Sequence, residues 1–116
     1  MKNNIFSLDG IQNNPALPEC FDQLLRGSGD SAGLRVERIV SCGQRTPEGE
    51  WYDQDWDEWV LVLEGEARLG FVDAQERLLR RGDFLLLPRN MKHRVLFTSN
   101  PCIWLAIHAQ KLDECH

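Results

Sequence analysis

Residues 51–58, WYDQDWDE, place two tryptophans, a tyrosine and four carboxylates in eight positions of a 116-residue chain that has only three histidines. Such a segment forms either a ligand-facing lip on the structure that follows or a solvated loop pinned by its aromatic rings. The side chains that could do chemistry elsewhere are His93, His108 and the terminal His116, with cysteines at 20, 42, 102 and 115. Imidazole and carboxylate suit iron, zinc, nickel or manganese, whereas an amide or phenol oxygen is a poorer donor. No two cysteines are close enough for a zinc knuckle or a redox CxxC pair. Cys42 and Cys102 stand in apolar strand contexts and read as small buried core residues. Cys115 and His116 read as a frayed end.

The elements that must position these groups are strands. From residue 34 the chain runs through LRVERIVSC (34–42), EWVLVLE (58–64), EARLGFV (66–72), ERLLR (76–80), FLLLP (84–88), HRVLFTS (93–99) and CIWLAIHA (102–109). Turn signals separate them, and seven short strands in this rhythm indicate an all-β sandwich or barrel. Residues 1–33 are rich in Asn, Pro, Gly and Ser and read as an N-terminal arm. Within it PECFDQLLRG (18–27) predicts a short helix, with Pro18 in the first turn and Gly27 as its stop. Residues 34–110 form the barrel and 111–116 a tail.

Alternation along a strand assigns faces. Glu58, Val60 and Val62 point one way and Trp59, Leu61 and Leu63 the other, so this strand is apolar on both sides and its outer face needs cover. His93, Val95 and Phe97 share a face, as do Cys102, Trp104, Ala106 and His108.

Composition sets further bounds. One domain of this length buries roughly 65% of its unfolded surface. The net charge is −5 with no basic run, which argues against nucleic acid as a partner. No apolar run approaches the roughly 18 residues of a membrane span, and the first residues lack a signal peptide's apolar core, so a cytoplasmic protein without membrane contact is expected.

In RGDFLLLPRNMKHRV, Gly82 is followed by Pro88 and His93. Upstream, Glu58 is followed after six residues by Gly65. These runs resemble the two motifs of the cupins, written G-x5-H-x-H-x(3,4)-E-x6-G and G-x5-P-x-G-x2-H-x3-N. Together they span residues 52–97. The resemblance implies a double-stranded β-helix, the jelly-roll barrel, preceded here by the short helix. The departures are equally specific. Tyr52 and Gln54 occupy the positions of the first motif's histidines, Asn90 that of a glycine and Phe97 that of the closing asparagine.

The resemblance places Glu58 and His93 together at one end of the barrel, with Tyr52 and Gln54 nearby. His108 enters the same cavity if the Trp104 face points inward. A divalent ion (Fe, Zn, Ni or Mn) would then draw on Glu58, His93, Gln54 and His108. The alternative is a metal-free pocket in which His93 hydrogen-bonds Glu58, with Tyr52, Gln54 and Arg45 completing the network and Trp104 and Phe97 in the wall. Two functions follow: a module binding a small polar metabolite, or a metal-dependent dioxygenase, decarboxylase, lyase or isomerase in which Glu58 or His93 is catalytic. The two-sided apolar strands further predict a homodimer.

Overall fold

The computed structural model describes residues 3–115, which form eight strands. They are β1 (Cys20–Arg26), β2 (Arg35–Ser41), β3 (Asp57–Glu64), β4 (Glu66–Phe71), β5 (Arg77–Arg80), β6 (Phe84–Leu87), β7 (His93–Thr98) and β8 (Cys102–Ala109). All pair antiparallel, in a five-stranded sheet of order β1-β2-β8-β3-β6 and a three-stranded sheet of order β5-β4-β7. The sheets face one another across a core that includes Val60, Val62, Leu69, Leu79, Leu87 and Trp104. The alternation expected on β3 holds: Glu58, Val60 and Val62 are buried, and Trp59, Leu61 and Leu63 lie half-buried on the outer face.

The turns explain two motif positions. Gly65, at φ +81°, joins β3 to β4 as the chain passes between sheets. A Cβ there would run into the Ser99 hydroxyl and the Pro101 carbonyl, so the position excludes any side chain. At the turn into β6, Val62 N–H donates to Asp83 O (3.0 Å) and Gly82 N–H to Val62 O (2.7 Å), while the Asp83 carboxylate accepts from Arg80 N–H at 2.8 Å. Asn90 stands where the cupin motif has glycine, and its φ is +61°. Asparagine tolerates this left-handed conformation better than most residues.

The helix expected over 18–27 is not formed. The segment is strand β1, paired with β2 from Cys20↔Val40 to Arg26↔Arg35, with an irregularity between Gln23 and Leu25. An isolated helix of about ten residues is marginal in water, whereas the edge of β2 offers a full ladder. The described residues contain one helical turn, the 3₁₀ segment Gly29–Ser31. The large sheet therefore begins at Cys20, inside the segment read as an arm. No helix among the described residues is long and apolar enough to cross a membrane.

The outer face of the large sheet carries a buried cation. Arg38 is 1% exposed; its Nε and Nη2 donate to Asp22 Oδ2 at 3.0 and 2.7 Å, and Nη1 donates to the carbonyls of Ile5 and Ser7. These bonds tie the N-terminal segment across the sheet. Cys42 and Cys102 are buried, and burial pushes the Cys102 thiol up to about 12.

Candidate functional site

The five-stranded sheet is wider than the three-stranded one, and between them lies an open-ended hollow of about 90 Å³. Glu58, His93, His108, Tyr52, Gln54 and Trp104 all line it. The barrel thus brings Glu58 and His93, thirty-five positions apart in sequence, to one space.

Their direct partners differ from expectation. Glu58 on β3 lies directly opposite His108 on β8. His108 Nε2 stands 2.9 Å from Glu37 Oε1 and 3.7 Å from Glu58 Oε2. Trp56 Nε1–H donates to His108 Nδ1 at 2.9 Å. An indole nitrogen can only donate, so Nδ1 is an acceptor and the ring proton sits on Nε2, shared toward Glu37. His108 is therefore the neutral Nε2–H tautomer with both nitrogens engaged.

Glu58 is 6% exposed and accepts no hydrogen bond among the described residues. Burial raises its pKa above the ordinary carboxylate value; Glu37 adds to that rise and Arg35 opposes it.

His93 does not bond Glu58. Its Nδ1 lies 3.0 Å from Met91 O, which can only accept, so Nδ1 carries the proton. Its ring stacks on Tyr52 with centroids 5.5 Å apart. The chain backbone holds this pair in register, because Tyr52 N–H donates to His93 O (2.7 Å) and His93 N–H to Tyr52 O (3.1 Å). The side chain is 5% exposed, and burial lowers its pKa. In the neutral ring Nε2 is a bare acceptor with no partner among the described residues.

Two residues expected at the pocket, Phe97 in its wall and Arg45 in its polar network, lie elsewhere. Phe97 is 45% exposed and absent from the hollow. Arg68 pairs Phe97 while Leu69 pairs Val95, so Leu96 is an extra residue in β7. This bulge reverses the alternation: Thr98 turns inward and Phe97 outward. Arg45 is exposed in the loop after β2 and also lies outside the hollow.

The sequence reading missed Glu37 and Glu19, which also line the hollow. On β2 the alternation sets Arg35, Glu37, Ile39 and Ser41 against Val36, Arg38 and Val40, and both sets carry charge. Nothing in that pattern says which face is inward. Glu19 precedes β1 and accepts from the Ser41 hydroxyl, which in turn accepts from Trp104 Nε1 at 3.1 Å. Burial raises the Glu19 pKa against this hydrogen bond. Burial first, then Glu19 and Glu58, raises that of Tyr52.

The segment 51–58 combines both roles expected of it. Tyr52 and Gln54 reach the hollow, while Trp51 lies beneath the Arg94 guanidinium (5.5 Å) and Trp56 beneath that of Arg35 (5.0 Å). Asp55 pairs Arg89, and Asp53 accepts from Asn90 Nδ2 at 3.0 Å. Asp57 accepts from the backbone N–H groups of Leu112 and Arg89, which lower its pKa.

A resident metal is a poor match for these donors. Such an ion wants three or four protein ligands. His108 has no free nitrogen, which leaves Glu58 and His93 with the weaker Gln54 and Tyr52. Among the described residues no group of three or more His, Cys, Asp or Glu is spaced to hold a metal.

Comparison with known proteins agrees with the fold. Residues 40–108, more than half of the chain, match the Cupin domain model, and the chain belongs to that family. It is 37% identical over 71 residues to the uncharacterized protein YdbB of Bacillus subtilis, an alignment covering 58% of this chain and 63% of that protein. It is 38% identical, with a TM-score of 0.79 over 96% of this chain and 99% of the other, to a solved protein of Ralstonia eutropha JMP134 described as a candidate mannose-6-phosphate isomerase. A cupin protein of RmlC-like type from Desulfovibrio desulfuricans shares the fold at 16% identity and a TM-score of 0.68, over 97% of this chain and 99% of that one.

Proposed function

We propose that the protein binds a small polar metabolite in the hollow between its sheets, with no resident metal. The observation that supports this best is a pair of open acceptors. Among the described residues Glu58 accepts no hydrogen bond and His93 Nε2 has no partner, yet both side chains are more than nine-tenths buried and line one hollow. Among the described residues Arg94 Nε is the one fully buried side-chain nitrogen or oxygen without a partner, so these two acceptors reach solvent through the open hollow. A ligand carrying donors takes the place of water there, and a hydrogen bond to a charged group is worth about 1.5–3 kcal/mol. The hollow is smaller than the 300–1,000 Å³ typical of drug-sized ligands, so it takes a compact molecule or the head group of a longer one.

The test is thermal unfolding of the full chain against a panel of small sugars, polyols, amines and organic acids. A true ligand at a hundredfold excess over its Kd adds about 2.7 kcal/mol. That gain is expected to vanish in Glu58→Gln and in His93→Gln. A stabilising compound that acts equally on both variants, or a panel that never stabilises the wild type, contradicts the reading.

A second reading, acid–base isomerisation of a hydroxycarbonyl compound, draws on the unprotonated Nε2 of His93. The similarity to a protein described as an isomerase candidate also favours it. His93 would take the proton from the hydroxyl-bearing carbon beside the carbonyl and return it to the former carbonyl carbon, while the Glu58 carboxyl gives a proton to the carbonyl oxygen and takes one from the hydroxyl. No lysine or arginine lines the hollow to hold a phosphate, so the substrate would be unphosphorylated. Exchange of that carbon-bound hydrogen with D₂O, lost in His93→Gln, is the signature.

We also propose that a second copy of the chain covers the outer strip where Phe84, 62% exposed, lies 5.5 Å from Trp59. A dimeric mass by light scattering is expected.

A further inference from the structure

The walls of the hollow are unbalanced in charge. Glu19, Glu37 and Glu58 all line it, and no lysine or arginine does. Neither histidine offsets them. His108 is held neutral by the Trp56 N–H on its Nδ1, and His93 lines the space with a bare Nε2. Two carboxylates have donors of their own, Glu19 from Ser41 and Glu37 from His108. Glu58 has none, although β2 brings Glu37 and Arg35 toward it, β8 brings His108 and β6 contributes only the apolar Leu87 opposite. The Arg35 guanidinium is directed onto the Trp56 ring rather than into the space. The remaining wall is mostly aliphatic, with Gln54 and the rings of Phe21, Tyr52 and Trp104.

Building on the reading that this hollow holds a small metabolite, we infer that the ligand is a small primary amine, bound as an ammonium ion between the Glu58 carboxylate and His93 Nε2. An alkylammonium brings one positive charge and three N–H donors. The charge answers the carboxylates in a medium where Coulomb interactions are little screened. The donors meet the two open acceptors. The aromatic faces favour a cation and its alkyl chain. A hydroxyl supplies one donor and no charge, so it leaves the electrostatic imbalance in place. A carboxylate or phosphate ligand would meet three carboxyl groups and no lysine or arginine among the lining residues.

Four probes of similar size separate these properties: propylamine, propanol, propionate and tetramethylammonium. Each is titrated into the full chain while the His93 ring resonances are followed by NMR. Propylamine is expected to bind at least tenfold more tightly than propanol, and propionate not at all. Tetramethylammonium, which has the charge but no N–H, is expected to bind at least tenfold more weakly than propylamine. In Glu58→Gln the preference for propylamine over propanol is expected to disappear. Propanol binding as tightly as propylamine overturns the amine assignment and leaves the hollow as a ligand site. Tetramethylammonium matching propylamine overturns the role of the N–H donors. If sugars or acids from the wider panel stabilise the protein through Glu58 and His93 while propylamine leaves the His93 resonances unmoved, the amine inference fails and the binding function stands. If neither the panel nor the probes engage these residues, both fail.

Discussion

The two faces of the five-stranded sheet bury charge in opposite ways. On the outer face Arg38 is saturated: Asp22 takes its Nε and Nη2, and the carbonyls of Ile5 and Ser7 take Nη1. On the inner face Glu58 is also buried, at 6% exposed, but accepts no hydrogen bond among the described residues, and the neutral His108 stands 3.7 Å away. A saturated buried ion holds structure together, here by fastening the N-terminal segment to the sheet. An unpaired one that faces an open hollow is left for solvent or a ligand to satisfy. The contrast separates architecture from site within one sheet.

The largest effect is expected on the saturated side. Asp22→Ala leaves Arg38 buried without its carboxylate and is expected to lower the unfolding free energy by about 3 kcal/mol, measured by urea denaturation. Replacing both partners with apolar residues of similar volume, Arg38→Met with Asp22→Leu, is expected to restore most of the loss. A fully stable Asp22→Ala variant would mean that the two faces do not differ as described.

This contrast also marks what could be read from the sequence. Strands β2 to β8 were legible because each is a short apolar-rich run bounded by turn residues. The pairing of Glu58 with His108 was not, since it depends on β8 lying between β2 and β3, a sheet order that no single strand encodes. Phe97 was misplaced because the extra residue Leu96 is invisible to a period of two. The segment 18–27 misled because Phe21, Leu24 and Leu25 suit a helix face, while the edge of β2 that captures the segment as a strand is a tertiary feature. Glu58 and His93 were found through their motif frame, and Glu37 was missed because Arg38 beside it is equally charged.

A smaller effect is expected at His93, where pH gives the sign. Burial holds its pKa below the ordinary imidazole value near 6.5. As pH falls below that value the unfolded chain takes up a proton that the folded site resists, so the wild type loses stability from there down to the lowered folded value. His93→Gln lacks this loss. Relative to wild type it is expected to gain on the order of 1 kcal/mol across that window. Parallel stability curves for the two proteins would show that the imidazole is not enclosed as described.

The most direct measurement is the pH dependence of unfolding for ligand-free Glu58→Gln against wild type. A carboxyl whose folded pKa is raised stabilises the fold below the ordinary carboxylate value, and that contribution is lost as pH rises through the folded value. The two proteins are therefore expected to be close in stability near pH 4, with Glu58→Gln more stable by about 1 kcal/mol at pH 8. A glutamine variant less stable than wild type at pH 8 would contradict the account, because Glu58 would then be a structural ion like Arg38 and not a vacancy for a ligand's donors.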